Sequence, residues 1–203
     1  MIKKMDKTIV LASGNEGKAR EFRAVLEPLG VNIVLQKDFG IESPAETGSS
    51  FLENAMQKAR YAAEKTQHWA LADDSGLCVR ALNGAPGIYS ARYSGGSSQD
   101  NNEKLLRELK DVPAEKRDAF FYCALCLVRH RDDPTPLVVT ASWEGSIAFK
   151  EKGSEGFGYD PLFLVKGRDC TAAQLPPQVK NLISHRGRAL CALTYHLEHD
   201  FYE

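Results

Sequence analysis

A small polar loop that ends in a lysine follows a short apolar run near the start of the chain. Ile9 to Ala12 predict a buried strand, and apolar residues recur at helical spacing after Lys18. The loop Ser13 to Lys18 therefore lies between a strand and a helix, where backbone N–H groups can bind anionic oxygens and a lysine adds positive charge. This pattern predicts a phosphate-binding loop, and an ordinary strand-to-helix turn is the alternative. A Walker A loop is excluded, because its glycines are further apart and a hydroxyl residue follows its lysine, where this chain has Ala19.

Two adjacent carboxylates come directly after another apolar run. Asp73 and Asp74 follow the predicted strand Trp69 to Ala72. Ligands of open α/β sheets gather beyond the ends of strands, so both carboxylates are placed to face a crevice. A carboxylate there can bind Mg²⁺, which prefers oxygen ligands, or can accept a proton from an attacking water. A solvated turn is the alternative, because Asp, Ser and Gly are common turn residues.

A further acid and a lysine accompany the second predicted helix. Ser50 begins this helix with an S-x-x-E pattern, and Asn54 and Lys58 lie four residues apart on one of its faces. Glu46 comes just before the helix, and a carboxylate near a phosphate-binding lysine suggests a metal site. The alternative is that Glu46 stabilises the positive end of the helix dipole while Lys58 is solvated.

Two segments toward the C-terminus carry groups that suit a nucleobase. Gly156 to Pro161 contains two aromatic residues, Phe157 and Tyr159, beside Asp160. Aromatic rings can stack on a base, and a carboxylate can accept hydrogen bonds from base or sugar donors. Ser184-His185-Arg186-Gly187 places two donors side by side at a helix start, where they can reach carbonyl or phosphate oxygens. Core aromatics and a helix cap with solvated neighbours are the alternatives.

Composition excludes several classes of function. The chain has 203 residues and 43% hydrophobic content, which predicts one domain over residues 1–203. No apolar stretch approaches the length of a membrane span and the charged start does not resemble a signal peptide, so we expect a cytoplasmic protein with no membrane partner. A net charge of −1 argues against a nucleic-acid polymer as partner. Five cysteines at irregular spacing predict no disulfide framework, and Cys123 and Cys126 would point to opposite faces of a strand.

The order of predicted elements indicates an α/β fold with a mixed sheet. Helices and strands alternate at first, and strands dominate later. After the first strand and helix, strands are predicted at residues 32–35, 69–72, 120–128, 137–143, 146–149 and 162–165, and helices at residues 50–65, from residue 100 and from about residue 187.

Six motifs follow one another along the chain. They are Ser13 to Lys18; Glu46-Thr47-Gly48 with Phe51 and Glu53-Asn54-Ala55; Asp73-Asp74-Ser75-Gly76; Gly84 to Arg92; Gly156 to Pro161; and Ser184 to Gly187. This ordered set resembles the inosine triphosphate pyrophosphatase family, which removes non-canonical purine nucleotides, and it extends from about residue 8 to residue 197. The resemblance implies hydrolysis of ITP, dITP or XTP to the monophosphate and pyrophosphate with Mg²⁺. It also implies a homodimer and an elongated mixed β-sheet flanked by helices, as in Maf-like and Ham1-like proteins.

The resemblance further implies roles for individual residues. Asp74 is the expected catalytic carboxylate, and Asp74 and Glu46 are the expected Mg²⁺ ligands. The triphosphate is expected to contact Ser13, Gly14, Asn15, Glu16, Gly17, Lys18 and Lys58. The nucleoside is expected to contact Phe157, Gly158, Tyr159, Asp160, Lys180, His185 and Arg186, with Ser75 as a further substrate contact. A donor aimed at the 6-oxo group would disfavour adenine, whereas rejection of guanine needs an unfavourable site for its 2-amino group.

The chain departs from the family pattern at two positions. Many members have an acid where this chain has Ala45, so Glu46 is the only acid of its motif, and many have another acid where this chain has Gln174. Members usually begin only a few residues before the first strand, so the resemblance also implies that residues 1–6 are a short N-terminal extension. Two other functions remain open. A nucleotide sensor without catalysis would use the same loop, although it gains nothing from two carboxylates beside a polyphosphate. A pyrophosphatase of modified pyrimidine nucleotides would be expected to lack Ser184 to Gly187.

Overall fold

A mixed six-stranded sheet with helices forms the fold. The computed structural model describes residues 7–199, so the predicted extension at residues 1–6 lies outside the described residues. The strands are β1 (Lys7–Leu11), β2 (Val31–Leu35), β3 (Trp69–Val79), β4 (Asp118–Val128), β5 (Leu137–Ile147) and β6 (Phe163–Val165). The helices are α1 (Glu16–Leu26), α2 (Phe51–Thr66), α3 (Ser98–Glu108), α4 (Pro177–Ile183) and α5 (His185–His199).

The strand order is β2-β1-β3-β4-β5-β6. Strand β1 pairs in parallel with both β2 and β3, whereas β5 and β6 are antiparallel. The predicted α/β fold class with a mixed sheet is confirmed. None of the helices within residues 7–199 is long and apolar enough to cross a membrane.

The chain divides into two compact units. The described residues of the first unit are 7–74, 123–141 and 187–199, and the second unit comprises Ser75–Tyr122 and Ser142–Arg186. Strands β3, β4 and β5 each contribute residues to both units.

Each unit has its own apolar core. In the first unit β1 is buried on both faces, as expected for a strand flanked by parallel neighbours, and Phe22 of α1 and Leu190 of α5 pack into the same cluster. In the second unit Leu105 of α3 packs with Trp143 of β5 and Phe163 of β6. Cys123 and Cys126 are buried in β4, and all five cysteines of the sequence are free thiols.

Strand β3 is longer than the sequence indicated. It was expected to end at Ala72, but it continues through Asp73 and Asp74 to Val79. The two aspartates are therefore buried residues inside a strand rather than members of a solvated turn. A buried carboxylate needs a partner of opposite charge, and here Lys18 and Lys58, from other parts of the sequence, are those partners.

Other boundaries also differ from the predictions. Helix α1 begins at Glu16, so Lys18 lies in its first turn, and α3 begins at Ser98 with Ser97 as its N-cap. The strands predicted at residues 137–143 and 146–149 form one continuous strand, β5. The helix α4 was not predicted, because its seven residues are too few to show a helical period.

Candidate active site

The loop before α1 has the geometry of an anion-binding turn. Asn15 is the N-cap of α1, and its Oδ1 accepts a hydrogen bond from the Lys18 backbone N–H at 3.1 Å. The Ser13 hydroxyl accepts a hydrogen bond from the Asn15 N–H, also at 3.1 Å. The next backbone N–H groups, those of Glu16 and Gly17, begin the helix and have no intrahelical acceptor. The predicted strand-loop-helix context of this motif is confirmed.

Gly14 leaves space in the loop, whereas the carboxylate of Glu16 is already paired with another residue. A Cβ added at Gly14 would meet no atom within 4 Å, so the protein leaves open space beside this residue. The Glu16 carboxylate is exposed and pairs with the Lys37 ammonium, whose hydrogen bond lowers the pKa of Glu16. Glu16 can therefore serve an anion only through its backbone N–H at the helix start.

Two lysines bind three acidic side chains in the first unit. Lys18 Nζ lies 3.0 Å from Asp73 Oδ1. Lys58 Nζ lies 2.7 Å from Asp74 Oδ1 and 2.9 Å from Glu46 Oε1, and it also donates to the Asp73 carbonyl at 3.0 Å. We call Lys18, Glu46, Lys58, Asp73 and Asp74 the carboxylate–lysine cluster. The structure thus brings together four residues expected to contact the triphosphate or Mg²⁺, and it places Asp73, also expected to face a crevice, beside them.

Burial and charge act in opposite directions in this cluster. Burial disfavours the ionised Asp74 carboxylate and raises its pKa, while the Lys58 charge partly offsets that effect. For Lys58 burial alone would lower the pKa, but the interactions with Asp74 and Glu46 outweigh burial, so its pKa is raised. Lys58 is therefore protonated at neutral pH, and Asp74 is a stronger base than an ordinary exposed aspartate.

Asn54 holds Asp74 from the opposite side, and Gly48 holds Asn54. The Asn54 amide donates from Nδ2 to Asp74 Oδ2 at 3.3 Å, and its Oδ1 accepts from the Gly48 N–H at 2.8 Å. A Cβ at Gly48 would lie 2.7 Å from Asn54 Oδ1, so only glycine permits this approach. The helical spacing predicted that Asn54 and Lys58 share one helix face, but no role for Asn54 followed from it.

The donor set fits a divalent cation that carries its own oxygen ligands. Within residues 7–199 no group of three or more His, Cys, Asp or Glu side chains could hold a metal ion. Glu46 and Asp74 nevertheless converge on one cationic centre, the Lys58 ammonium. Two carboxylates are a typical protein contribution to a Mg²⁺ site, where phosphate and water oxygens complete the coordination.

A second group of predicted residues lies in the second unit. Phe157 is 43% exposed, and Lys180 Nζ lies 4.9 Å and the Arg186 guanidinium 5.8 Å from the centroid of its ring. Arg186 also donates to the Ser75 hydroxyl at 2.9 Å. We call Ser75, Phe157, Lys180, His185 and Arg186 the aromatic–cation cluster. Its exposed ring and its donors are suited to stacking on a heterocycle and binding its carbonyl groups.

His185 is held by aromatic rings from two strands that no sequence motif links to it. Its imidazole stacks on Phe121 with 4.8 Å between centroids and lies 6.4 Å from the Trp143 ring. These neighbours come from β4 and β5. No local pattern in the sequence connects them to His185, because only the pairing of distant segments brings them together.

Asp160 and Tyr159 have structural contacts that narrow their predicted roles. Asp160 Oδ2 accepts from the Phe157 N–H at 2.8 Å and from Lys180 Nζ at 2.6 Å. The Tyr159 ring is buried, and its hydroxyl donates to the Ser90 carbonyl at 2.8 Å. Of the two aromatic rings in this loop that were expected to face a base, only that of Phe157 is exposed, because Tyr159 is buried. Gly158 contributes its carbonyl, which accepts from Asn102 Nδ2 at 3.2 Å.

Comparisons with known proteins identify relatives along most of the chain. The model of the Ham1 family matches residues 9–196. The dITP/XTP pyrophosphatase of Shigella flexneri is 54% identical over 184 residues, which cover 90% of this chain and 93% of that relative. The protein of the same name from Vibrio cholerae is 53% identical over 186 residues, covering 91% of this chain and 93% of that relative.

Solved structures agree with the sequence relatives. A HAM1 protein from Coxiella burnetii superposes with a TM-score of 0.89 at 44% identity, covering 94% of this chain and 98% of that one. A structure described as a nucleoside-triphosphatase and dITP/XTP pyrophosphatase from Mycobacterium abscessus gives a TM-score of 0.76 at 46% identity, covering 92% of this chain and 98% of that one. The family predicted from the ordered motifs is confirmed: the chain belongs to the Ham1 family.

Proposed function

We propose that this protein hydrolyses non-canonical purine nucleoside triphosphates, namely ITP, dITP and XTP, to the monophosphate and pyrophosphate. The observation that carries the proposal is the carboxylate–lysine cluster, in which two lysines are held by three acidic residues beside a helix N-terminus. The curated relatives from Shigella flexneri and Vibrio cholerae bear the name of this activity.

The first unit supplies the groups for the triphosphate. Helix α1 offers backbone N–H groups at Glu16 and Gly17, the Ser13 and Asn15 side chains shape the loop, and Gly14 leaves room for a ligand. Lys18 and Lys58 supply positive charge, since each ammonium can exchange a carboxylate contact for a phosphate oxygen. A polyphosphate needs both backbone N–H groups and ammonium groups as donors, because its negative charge is spread over several oxygens.

Glu46 and Asp74 are the residues that would hold Mg²⁺. A bound Mg²⁺ supplies charge neutralisation of the polyphosphate and acidifies a coordinated water. Glu46 and Asp74 both contact the Lys58 ammonium, so their oxygens lie close enough together to bind one cation, for which Mg²⁺ would compete with Lys58. The missing acid at Ala45 leaves the remaining coordination to substrate and water oxygens.

Asp74 is the proposed general base. Its carboxylate is buried but retains a partly exposed surface, and burial raises its pKa above the ordinary value. Asp74 accepts the proton of the attacking water, an oxygen–phosphorus bond forms, and the bond to the departing pyrophosphate breaks. Asn54 and Lys58 orient the carboxylate through its two oxygens, so a proton can be taken in a fixed direction.

The second unit supplies the groups for the purine. Phe157 offers the exposed ring for stacking, and Lys180, His185 and Arg186 offer donors for the 6-oxo group of hypoxanthine or xanthine. Adenine presents an amine at that position and would leave a donor unpaired, which is costly in a buried site. Guanine is disfavoured through its 2-amino group.

The test is an assay of product and substrate with a matched pair of variants. Purified protein with Mg²⁺ should release pyrophosphate from ITP and XTP much faster than from ATP and GTP. Asp74→Asn should abolish release with the fold intact, whereas Asp132→Asn, at an exposed aspartate of the first unit, should have full activity. Release of orthophosphate, or equal rates on ATP and GTP, would contradict the proposal.

The remaining sequence-based expectations are proposals too. Homodimer formation is supported by large apolar side chains that are exposed, among them Tyr89, Phe149, Leu182 and Tyr195. Light scattering coupled to gel filtration measures the mass directly, and a monomer at micromolar concentration would contradict it. We also propose that residues 1–203 act as one functional domain and that the protein works in the cytoplasm, where nucleotide pools reside.

A further inference from the structure

We propose that Ser90 and Tyr159 are positioning residues that orient the Phe157 ring toward the purine, an inference that rests on the proposed function. The motif Gly84 to Arg92 has no role in the chemistry described above. Its contacts within the second unit suggest a role. A buried hydrogen bond from the Tyr159 hydroxyl to the Ser90 carbonyl connects this motif to the loop that carries Phe157.

Ser90 is fixed by hydrogen bonds from several directions. Its hydroxyl accepts from the Leu77 N–H of β3 at 2.9 Å and donates to the Gly87 carbonyl at 2.6 Å. Its own carbonyl accepts from the Tyr159 hydroxyl at 2.8 Å. Ser90 therefore connects β3 to the loop of residues 156–160 through its hydroxyl on one side and its carbonyl on the other.

The loop itself needs such external support. Gly156 and Gly158 both have positive φ values, +80° and +60°, and glycines restrict the backbone least. Phe157 lies between them with its ring exposed. A stacking ring on so flexible a backbone is useful only if its neighbours are held in place, because misplacement of a substrate contact weakens binding in the productive geometry.

Three contacts hold the neighbours of Phe157. The Tyr159 hydroxyl bonds to Ser90, Asn102 Nδ2 donates to the Gly158 carbonyl at 3.2 Å, and Asp160 pairs with Lys180 at 2.6 Å. Burial raises the pKa of Tyr159, so its hydroxyl stays a donor at neutral pH. The segment of residues 87–102 thus holds Gly158 and Tyr159 through Asn102 and Ser90, and Lys180 of α4 holds the next residue, Asp160.

The test removes the Tyr159 hydroxyl and compares ligands with and without a base. Tyr159→Phe should raise KM for ITP and the inhibition constant of IMP by about two- to tenfold, the effect of one lost neutral hydrogen bond, with kcat changed less than twofold. The inhibition constant of inorganic tripolyphosphate, which has no base, should not change. Tyr61→Phe is the matched control, because it removes a tyrosine hydroxyl from α2 in the first unit, whereas the loop of residues 156–160 belongs to the second unit.

A second variant and a direct binding measurement test the same inference independently of the Tyr159 variant. Asn102→Ala should shift the same constants in the same direction through the second contact, and thermal unfolding should show both variants folded. An unchanged KM for ITP in Tyr159→Phe, or an equal shift for tripolyphosphate, would overturn the inference. Equilibrium binding of ITP without divalent cation needs no turnover, so the effect on binding is measured even if the wild-type protein releases no pyrophosphate and the proposed function fails.

Discussion

Replacement of Lys58 by methionine tests the electrostatics of the carboxylate–lysine cluster most directly. The ammonium donates to Asp74, Glu46 and the Asp73 carbonyl, and its side chain is only 9% exposed. Methionine fills a similar volume without a charge. The substitution therefore leaves two carboxylates facing each other, with only Asn54 still donating to Asp74 among the contacts described above.

Removal of one partner from a buried ion pair costs about 3–5 kcal/mol, because the remaining charge is left without compensation. We expect Lys58→Met to lose about this much unfolding free energy at pH 7.5. Since burial and Glu46 both raise the pKa of Asp74, loss of Lys58 raises that pKa further. At pH values between the pKa of Asp74 in the wild type and its higher pKa in the variant, Asp74 is protonated in the folded variant but not in the folded wild type. The stability difference should therefore shrink on acidification, by about 1.4 kcal/mol per pH unit within that window.

Urea unfolding at pH 7.5 and pH 5.0, with and without Mg²⁺, measures these effects. Lys65→Met is the matched control, because Lys65 is an exposed lysine on the same helix, and surface substitutions usually change stability by about 0.5 kcal/mol or less. Mg²⁺ should stabilise Lys58→Met more than the wild type, since the vacated carboxylates gain a cation that binds only the folded state. A variant as stable as the wild type at pH 7.5, or a deficit that is the same at both pH values, would refute the reasoning.

Two other predictions concern activity. Burial raises the pKa of Asp74 above its ordinary 3.8, so kcat/KM for ITP should fall about tenfold per pH unit below a midpoint that lies above 3.8. A pH profile of the initial rate measures this midpoint. A midpoint at or below 3.8 would contradict the role of Asp74 as base. Gly14→Ala should keep the wild-type melting temperature, because its Cβ meets no atom within 4 Å, yet lower kcat/KM for ITP by about 10- to 100-fold by displacing the phosphates. A normal kcat/KM would place the triphosphate elsewhere.

Local patterns predicted the elements better than their ends. Ser50 was expected to begin α2, and its hydroxyl does accept from the Glu53 N–H at 3.2 Å. The Glu53 carboxylate, however, accepts from the Ser49 N–H at 2.6 Å, so the second half of the predicted capping box is shifted by one residue. Propensities over a few residues decide that a helix forms, whereas hydrogen bonds of individual side chains decide where it begins.

The sequence by itself determined the family, the fold class and the loop at Ser13 to Lys18, because these depend on residue types at short fixed spacings. Only the tertiary structure decided which charges meet. It pairs Lys18 with Asp73 and Lys58 with both Asp74 and Glu46, and it turns Tyr159 from a candidate stacking ring into a buried support. The physical reason is that burial, and with it the pKa of Asp74, arises from segments far apart in the chain that pack against one another.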